Sequence, residues 1–170
     1  NVTGPVVVFD DDHYYMGGIL AEKLRADGHE VTLITPVGNV SQWTFYSEEQ
    51  HRIEKQILEQ GIDVIYHSNL ISVDDGFVEI TNVSIDRRQR VECGSLVLVT
   101  SRLPNESLYL DLVDKPENLE AAGIVTVTRI GDCLGPSTVA NAVFSGHRYA
   151  RELDNPIEGD VPFRWEAIEP

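Results

Sequence analysis

A chain of 170 residues, 42% of them hydrophobic, has enough apolar surface for one good core, or one core and part of a second. A formal net charge of −15, spread along the chain with no basic stripe to offset it, argues against nucleic acid as a partner. Cys93 and Cys133 lie far apart without a C-x-x-C spacing, and the longest apolar runs are strand-length. Both features speak for a reduced, cytoplasmic protein with neither a disulfide scaffold nor a membrane span. The chain opens on Asn1 rather than Met, with no signal peptide ahead of its first strand, and so reads as a processed protein or an excised fragment.

The run Val6 to Phe9 predicts a strand buried on both faces of a parallel sheet. From Met16 to Ala26 the apolar residues Ile19, Leu20 and Leu24 recur at helical spacing, and Gly28 stops the helix. Val31 to Ile34 is a second strand, closed by Pro36 and Gly38, which completes a right-handed βαβ crossover. Ser47 is a candidate cap for a helix over Glu48 to Gln60, and Val64 to Tyr66 is a short third strand. Around Leu70–Val73, Phe77–Thr81 and Arg90–Cys93 the pattern alternates between turns at Asp75-Gly76 and Asp86-Arg87, as in an inserted antiparallel meander. Leu96 to Thr100 restores a buried parallel strand. A short helix over Ser107 to Leu112 follows within a polar connection that includes Pro104, Asn105, Lys115, Pro116 and Glu117. Ile124 to Ile130 reads as a last strand, leading through Gly131-Asp132 to a helix over Ser137 to Leu153. Val139, Ala140, Val143, Phe144, His147 and Ala150 line one side of that helix, and Asn155 to Pro170 reads as an extended tail. The fold class is α/β, a three-layer Rossmann-like parallel sheet of the FAD/NAD(P)-binding type with an antiparallel β-meander inserted.

Chemistry in such folds gathers where a strand turns into a helix. A dinucleotide-binding turn reads G-x-G-x-x-G, and its glycine positions fall here on Asp10, Asp12 and Tyr15. Each carboxylate facing a diphosphate costs about 1–4 kcal/mol, depending on the local dielectric. Thr35 and Pro36 stand where the second strand should present an acid to the ribose. Dinucleotide binding at this turn is therefore not expected. A receiver domain would use the same acids with Thr100 and Lys115, but Asp63 to Ser68 carries no phosphoacceptor aspartate at the strand exit. A D-x-D phosphatase would use Asp10 and Asp12, yet no later paired aspartates complete a Mg²⁺ site. Two further readings stay open: the acids cap the helix and favour its dipole, or Asp10, Asp12 and His13 bind a metal.

His29 and His51 are expected on the surface, and His147 in packing or a salt bridge beside Arg148. Trp43, Phe45 and Tyr46 form an aromatic cluster, either core packing under a loop or a contact between domains.

Ser95 to Arg102, Ile124 to Asp132 and Thr138 to Glu152 follow the order of the flavoproteins with two dinucleotide domains. With Ala21 to Leu24 and Gly28 to Thr32, and most specifically Gly131-Asp132 and Gly146-His147-Arg148, the chain resembles the C-terminal region of the trimethylamine dehydrogenase-like members of the NADH:flavin oxidoreductase family. The resemblance implies that residues 1–102 are an NAD-like Rossmann domain and 103–170 the returning half of an FAD-like domain plus a tail. It implies a parent oxidoreductase with FMN and a 4Fe–4S cluster in an N-terminal TIM barrel, and ADP or FAD in the FAD-like domain. The barrel and the first half of the FAD-like domain are the expected partners, with a homo-oligomer as a further possibility. No catalytic residue or metal ligand is expected in this chain. Gly131 and Asp132 are its candidate cofactor-binding residues, on the FAD or ADP side, unless Gly131 only makes the turn and Asp132 only caps the next helix. The rival class is a stand-alone receiver-like or nucleotide-sensing regulatory domain.

Overall fold

The apolar run near the start of the chain forms β1 (Val6–Asp10), buried at every position. Such burial requires cover on both faces, and the rest of residues 1–101 supplies it. β1 pairs in parallel with β2 (Val31–Ile34) on one side and β7 (Ser95–Val99) on the other, with Val6 opposite both Val31 and Ser95. β3 (Asp63–Ile65) adds to the outer edge of β2, giving the order β3-β2-β1-β7. The computed structural model describes residues 2–153, so the expected tail over Asn155 to Pro170 lies outside the described residues.

Alternation along the central strands splits the core in two. Val6, Val8, Val31 and Leu33 pack with Ala21 of α1 (Tyr15–Ala26) and Ile57 of α2 (Gln50–Glu59). Val7, Phe9 and Ile34 point the other way and meet Val78, Ile80 and Cys93. That second cover is the antiparallel meander of β4 (Ser68–Asp74), β5 (Phe77–Asn82) and β6 (Arg88–Glu92). Helices, parallel sheet and meander make three layers, as the fold class read from the sequence requires. Each fully buried Val, Leu or Ile contributes about 1.5–3 kcal/mol, so the two faces of β1 and β2 hold this unit together.

Two local readings change. Ser47 does not cap α2: Gln42–Ser47 winds as a 3-10 helix, Ser47 Oγ donates to the Thr44 carbonyl, and Glu48 at φ 59° breaks the chain before α2 begins. Of the aromatic cluster, Trp43, Phe45 and Tyr46 are 52%, 45% and 84% exposed, which excludes core packing; only Thr44 of that helix is buried.

A second compact unit begins at Arg102. α3 (Ser107–Val113) runs one residue past expectation, and α4 (Pro116–Ala121) forms where a polar connection was read. Pro116 suits that start because a helix's first N–H groups lack partners in any case. Ile124 to Ile130 is not a strand: none of the described residues pairs with it, and a strand exists only through its ladder. Arg129 holds this segment by an ion pair to Glu106 and by stacking 4.5 Å over the Tyr109 ring. α5 (Val139–Glu152) is capped by Thr138, whose Oγ1 accepts the Asn141 N–H at 3.4 Å. Its apolar side is open, with Val139, Val143 and Phe144 81%, 55% and 57% exposed, and no residue from 102 to 153 is buried.

Candidate functional site

The β1–α1 turn stands at the carboxyl end of the parallel sheet, where α/β folds place ligands. Asp10, the last residue of β1, continues the Val6–Val8 face and is fully buried. Its Oδ1 accepts the N–H groups of Asp12 and His13 at 3.2 and 3.1 Å, while Oδ2 is buried with no partner. Burial pushes this carboxyl above the ordinary aspartate range, and the His13 and Asp12 amides only partly oppose it. Gly17 makes room for it: a Cβ there would lie 2.4 Å from Asp10 Cγ. The spacing of the glycine motif put the close-approach position on Tyr15, but the turn is longer than the motif allows and Gly17 takes that place. Asp10 likewise does not face outward to repel a ligand; it fills the turn from within.

The turn is pinned on both sides. The Asp11 N–H donates to the Val99 carbonyl at 2.8 Å, and the His13 carbonyl accepts the Trp43 N–H at 2.9 Å. His13 adopts φ 59°, unusual for a residue with a side chain, and its Nε2 lies 3.4 Å from Asp11 Oδ1. The Tyr15 phenol donates to Glu49, the main influence raising Tyr15 and lowering Glu49 from their ordinary pKa values. Beside the turn, Thr35 and Ser41 are each 1% exposed and their hydroxyls have no partner. Among the described residues, no group of three or more His, Cys, Asp or Glu stands close enough to hold a metal ion.

Gly131 and Asp132 lie in the second unit, in a 3-10 turn over Gly131–Cys133. Gly131 takes φ 62°, which suits glycine, and its N–H donates to Ser145 Oγ at 3.0 Å. Asp132 is exposed and its Oδ1 accepts the Ser137 N–H at 3.4 Å, so it braces the approach to α5 without capping it. An exposed carboxylate here has the acceptor chemistry that sugar hydroxyls need. His51 and His147 are exposed and His29 half-buried; the ion pair expected near His147 is made by Arg148, 2.9 Å from Glu152.

Sequence reasoning missed Gly17, Gly18 and Ser41. The signal was present: two adjacent glycines inside a helix cost about 0.5–1 kcal/mol each, which implies close approach by something. Both are buried, and a Cβ on Gly18 would meet Ser41 Oγ at 3.4 Å.

Comparison with known proteins agrees with this geometry. The family described as the OYE-like second alpha/beta domain matches residues 1–102. Dimethylamine dehydrogenase from Hyphomicrobium sp. (strain x) is 33% identical over 168 residues, covering 88% of this chain and 23% of its own. The structure of histamine dehydrogenase from Rhizobium sp. 4-9 matches with a TM-score of 0.86 and 38% identity, over 100% of this chain and 25% of that one. The 6-hydroxypseudooxynicotine amine oxidase HisD from Pseudomonas geniculata N1 matches with a TM-score of 0.77 and 31% identity, over 85% of this chain and 21% of that one. The chain thus spans about a quarter of the length of these relatives. With its three layers, its meander and a family match over more than half its length, the chain belongs to the OYE-like second alpha/beta domains of the trimethylamine dehydrogenase-like proteins.

Proposed function

We propose that this chain is a non-catalytic nucleotide-domain scaffold within a flavin-dependent oxidoreductase of the amine-dehydrogenase type, its NAD(P) turn degenerate. The observation that carries the reading is the Asp10 carboxyl, buried in the turn and bonded to the amides of Asp12 and His13. The names of the relatives, two amine dehydrogenases and an amine oxidase, support the parent activity. On this reading residues 1–102 are the NAD-like domain and 103–170 the returning half of an FAD-like domain. FMN and a 4Fe–4S cluster belong to a TIM barrel elsewhere in a cytoplasmic parent, which supplies the redox chemistry; this chain alone turns over no amine.

The open face of α5 and the segment Ile124–Ile130, which pairs with none of the described residues, support the barrel and the first half of the FAD-like domain as partners. The exposed aromatics Trp43 and Tyr46 suit a contact between domains, in the parent or in a homo-oligomer. Gly131 and Asp132 fit the ADP or FAD side, the carboxylate accepting from sugar hydroxyls and the glycine permitting the turn.

Calorimetric titration of the chain with NADH and NADPH tests the proposal. No binding is expected up to millimolar ligand, and micromolar affinity for either would overturn it. Weak ADP or FAD binding that Asp132→Ala abolishes is the expected result for the second unit.

A further inference from the structure

We propose that the Asp10 carboxylate is a resident substitute for a phosphate, closing an anion cradle at the β1–α1 turn that is occluded rather than dismantled. This rests on the reading of residues 1–102 as a degenerate nucleotide domain and names the device that blocks it. Charge repulsion, the obstacle read from the sequence, would only need acids pointing at the ligand. The structure instead puts Asp10 inside the turn, with one oxygen accepting successive amide N–H groups of Asp12 and His13. Successive amides leading into a helix are the donors that such turns offer to a phosphate oxygen.

The surroundings keep the features of a cradle. Gly17 preserves a close approach, since a Cβ would lie 2.4–2.6 Å from Asp10 Cγ, Oδ2 and Cβ. Asp10 is fully buried, yet Oδ2 has no partner. Thr35 stands one step beyond the Phe9–Ile34 pairing, beside Asp10 on the same face of the sheet, and Ser41 Oγ lies against Gly18. Both hydroxyls are buried donors without an acceptor. Backbone bonds from Asp11 to Val99 and from Trp43 to His13 hold the turn in place without using Asp10, so its shape does not depend on that side chain alone.

The occupant class is a phosphate or diphosphate, and inorganic pyrophosphate and ADP are the probes. Asp10→Ala in the 170-residue chain is expected to bind pyrophosphate at least about tenfold more tightly than the wild type. ADP binding that appears with Asp10→Ala and survives Asp132→Ala belongs to the same turn. Asp10→Asn keeps the accepting oxygen and the volume, so it should bind no better than wild type; binding equal to that of Asp10→Ala would mean charge alone was the barrier and overturn the proposal. Asp11→Asn with Asp12→Asn should also leave binding unchanged, and a gain there would overturn it. A folded Asp10→Ala that binds neither probe overturns it too, while leaving the scaffold reading intact; that reading fails only if the wild type binds NADH or NADPH. Should Asp10→Ala not fold, the amide protons of Asp12 and His13 in the wild type must titrate with the same midpoint as the Asp10 carboxyl carbon, and separate midpoints would overturn the proposal.

Discussion

Burial makes the charged form of Asp10 costly, and the amides of His13 and Asp12 recover only part of that cost. Its folded pKa lies above the ordinary 3.8, so the folded state holds the proton longer than the unfolded one. The stability Asp10 contributes is complete below 3.8 and is lost as pH rises through the raised folded value. Between about pH 4 and pH 7 the urea midpoint of the wild type should therefore fall relative to that of Asp10→Asn. Equal slopes would mean that Asp10 ionises as easily as in water. Gly17→Ala is expected to cost about 1–3 kcal/mol from overpacking against Asp10, with much of that relieved in an Asp10→Ala background. Strictly additive costs would remove the contact from the explanation. Asp10 was conspicuous in the sequence, but its inward turn was not, because strand alternation gives the face and only the fold says what lies on it.

Among the elements, α2 is joined to Tyr66, the residue just past β3, by a small polar latch. The Tyr66 phenol donates to Glu54 at 2.6 Å, and Gln50 Nε2 donates to Glu54 at 2.7 Å and to the Val40 carbonyl at 3.2 Å. Burial alone would raise Glu54, but the hydrogen bonds from Tyr66 and Gln50 outweigh it and hold the group below 4.5. A lowered folded pKa contributes stability above the unfolded value of 4.5 and loses it as pH falls through the folded one. Tyr66→Phe should then cost about 1–2 kcal/mol at pH 7 and less below about pH 4, read by chemical denaturation at both. A cost that does not change with pH would mean that the phenol packs rather than bonds. The start of α2 was misread for a local reason. Ser47 has the right chemistry for a cap, but the preceding residues wind as a 3-10 helix and use it inside their own last turn.

Across the whole molecule, burial divides as the two units do. Residues up to 101 carry both core clusters, whereas no residue from 102 to 153 is buried. Amide exchange in α5 of the isolated chain is accordingly expected to be faster than in β1 by on the order of a hundredfold or more. Mass-spectrometric exchange checks this, and equal protection of α5 and β1 would show a core the burial pattern does not. The stripe seen in the sequence of α5, Val139, Val143 and Phe144, is exposed. Periodicity says nothing about whether such a face is covered, since cover comes from residues distant in sequence.

By itself the sequence determined the βαβ start and the meander, because a parallel strand buried on both faces must be apolar throughout and a meander must alternate. It also located the turn that carries the interest of this protein. Tertiary structure alone decided that Ile124–Ile130 finds no ladder among the described residues and that Gly17, not position 15, makes room at the turn. It also decided that Asp10 lies inside that turn, against the amides of Asp12 and His13. Those outcomes depend on which atoms meet across the fold, and a carboxylate is a repelling charge or a resident anion according to whether it points out from a helix start or into it.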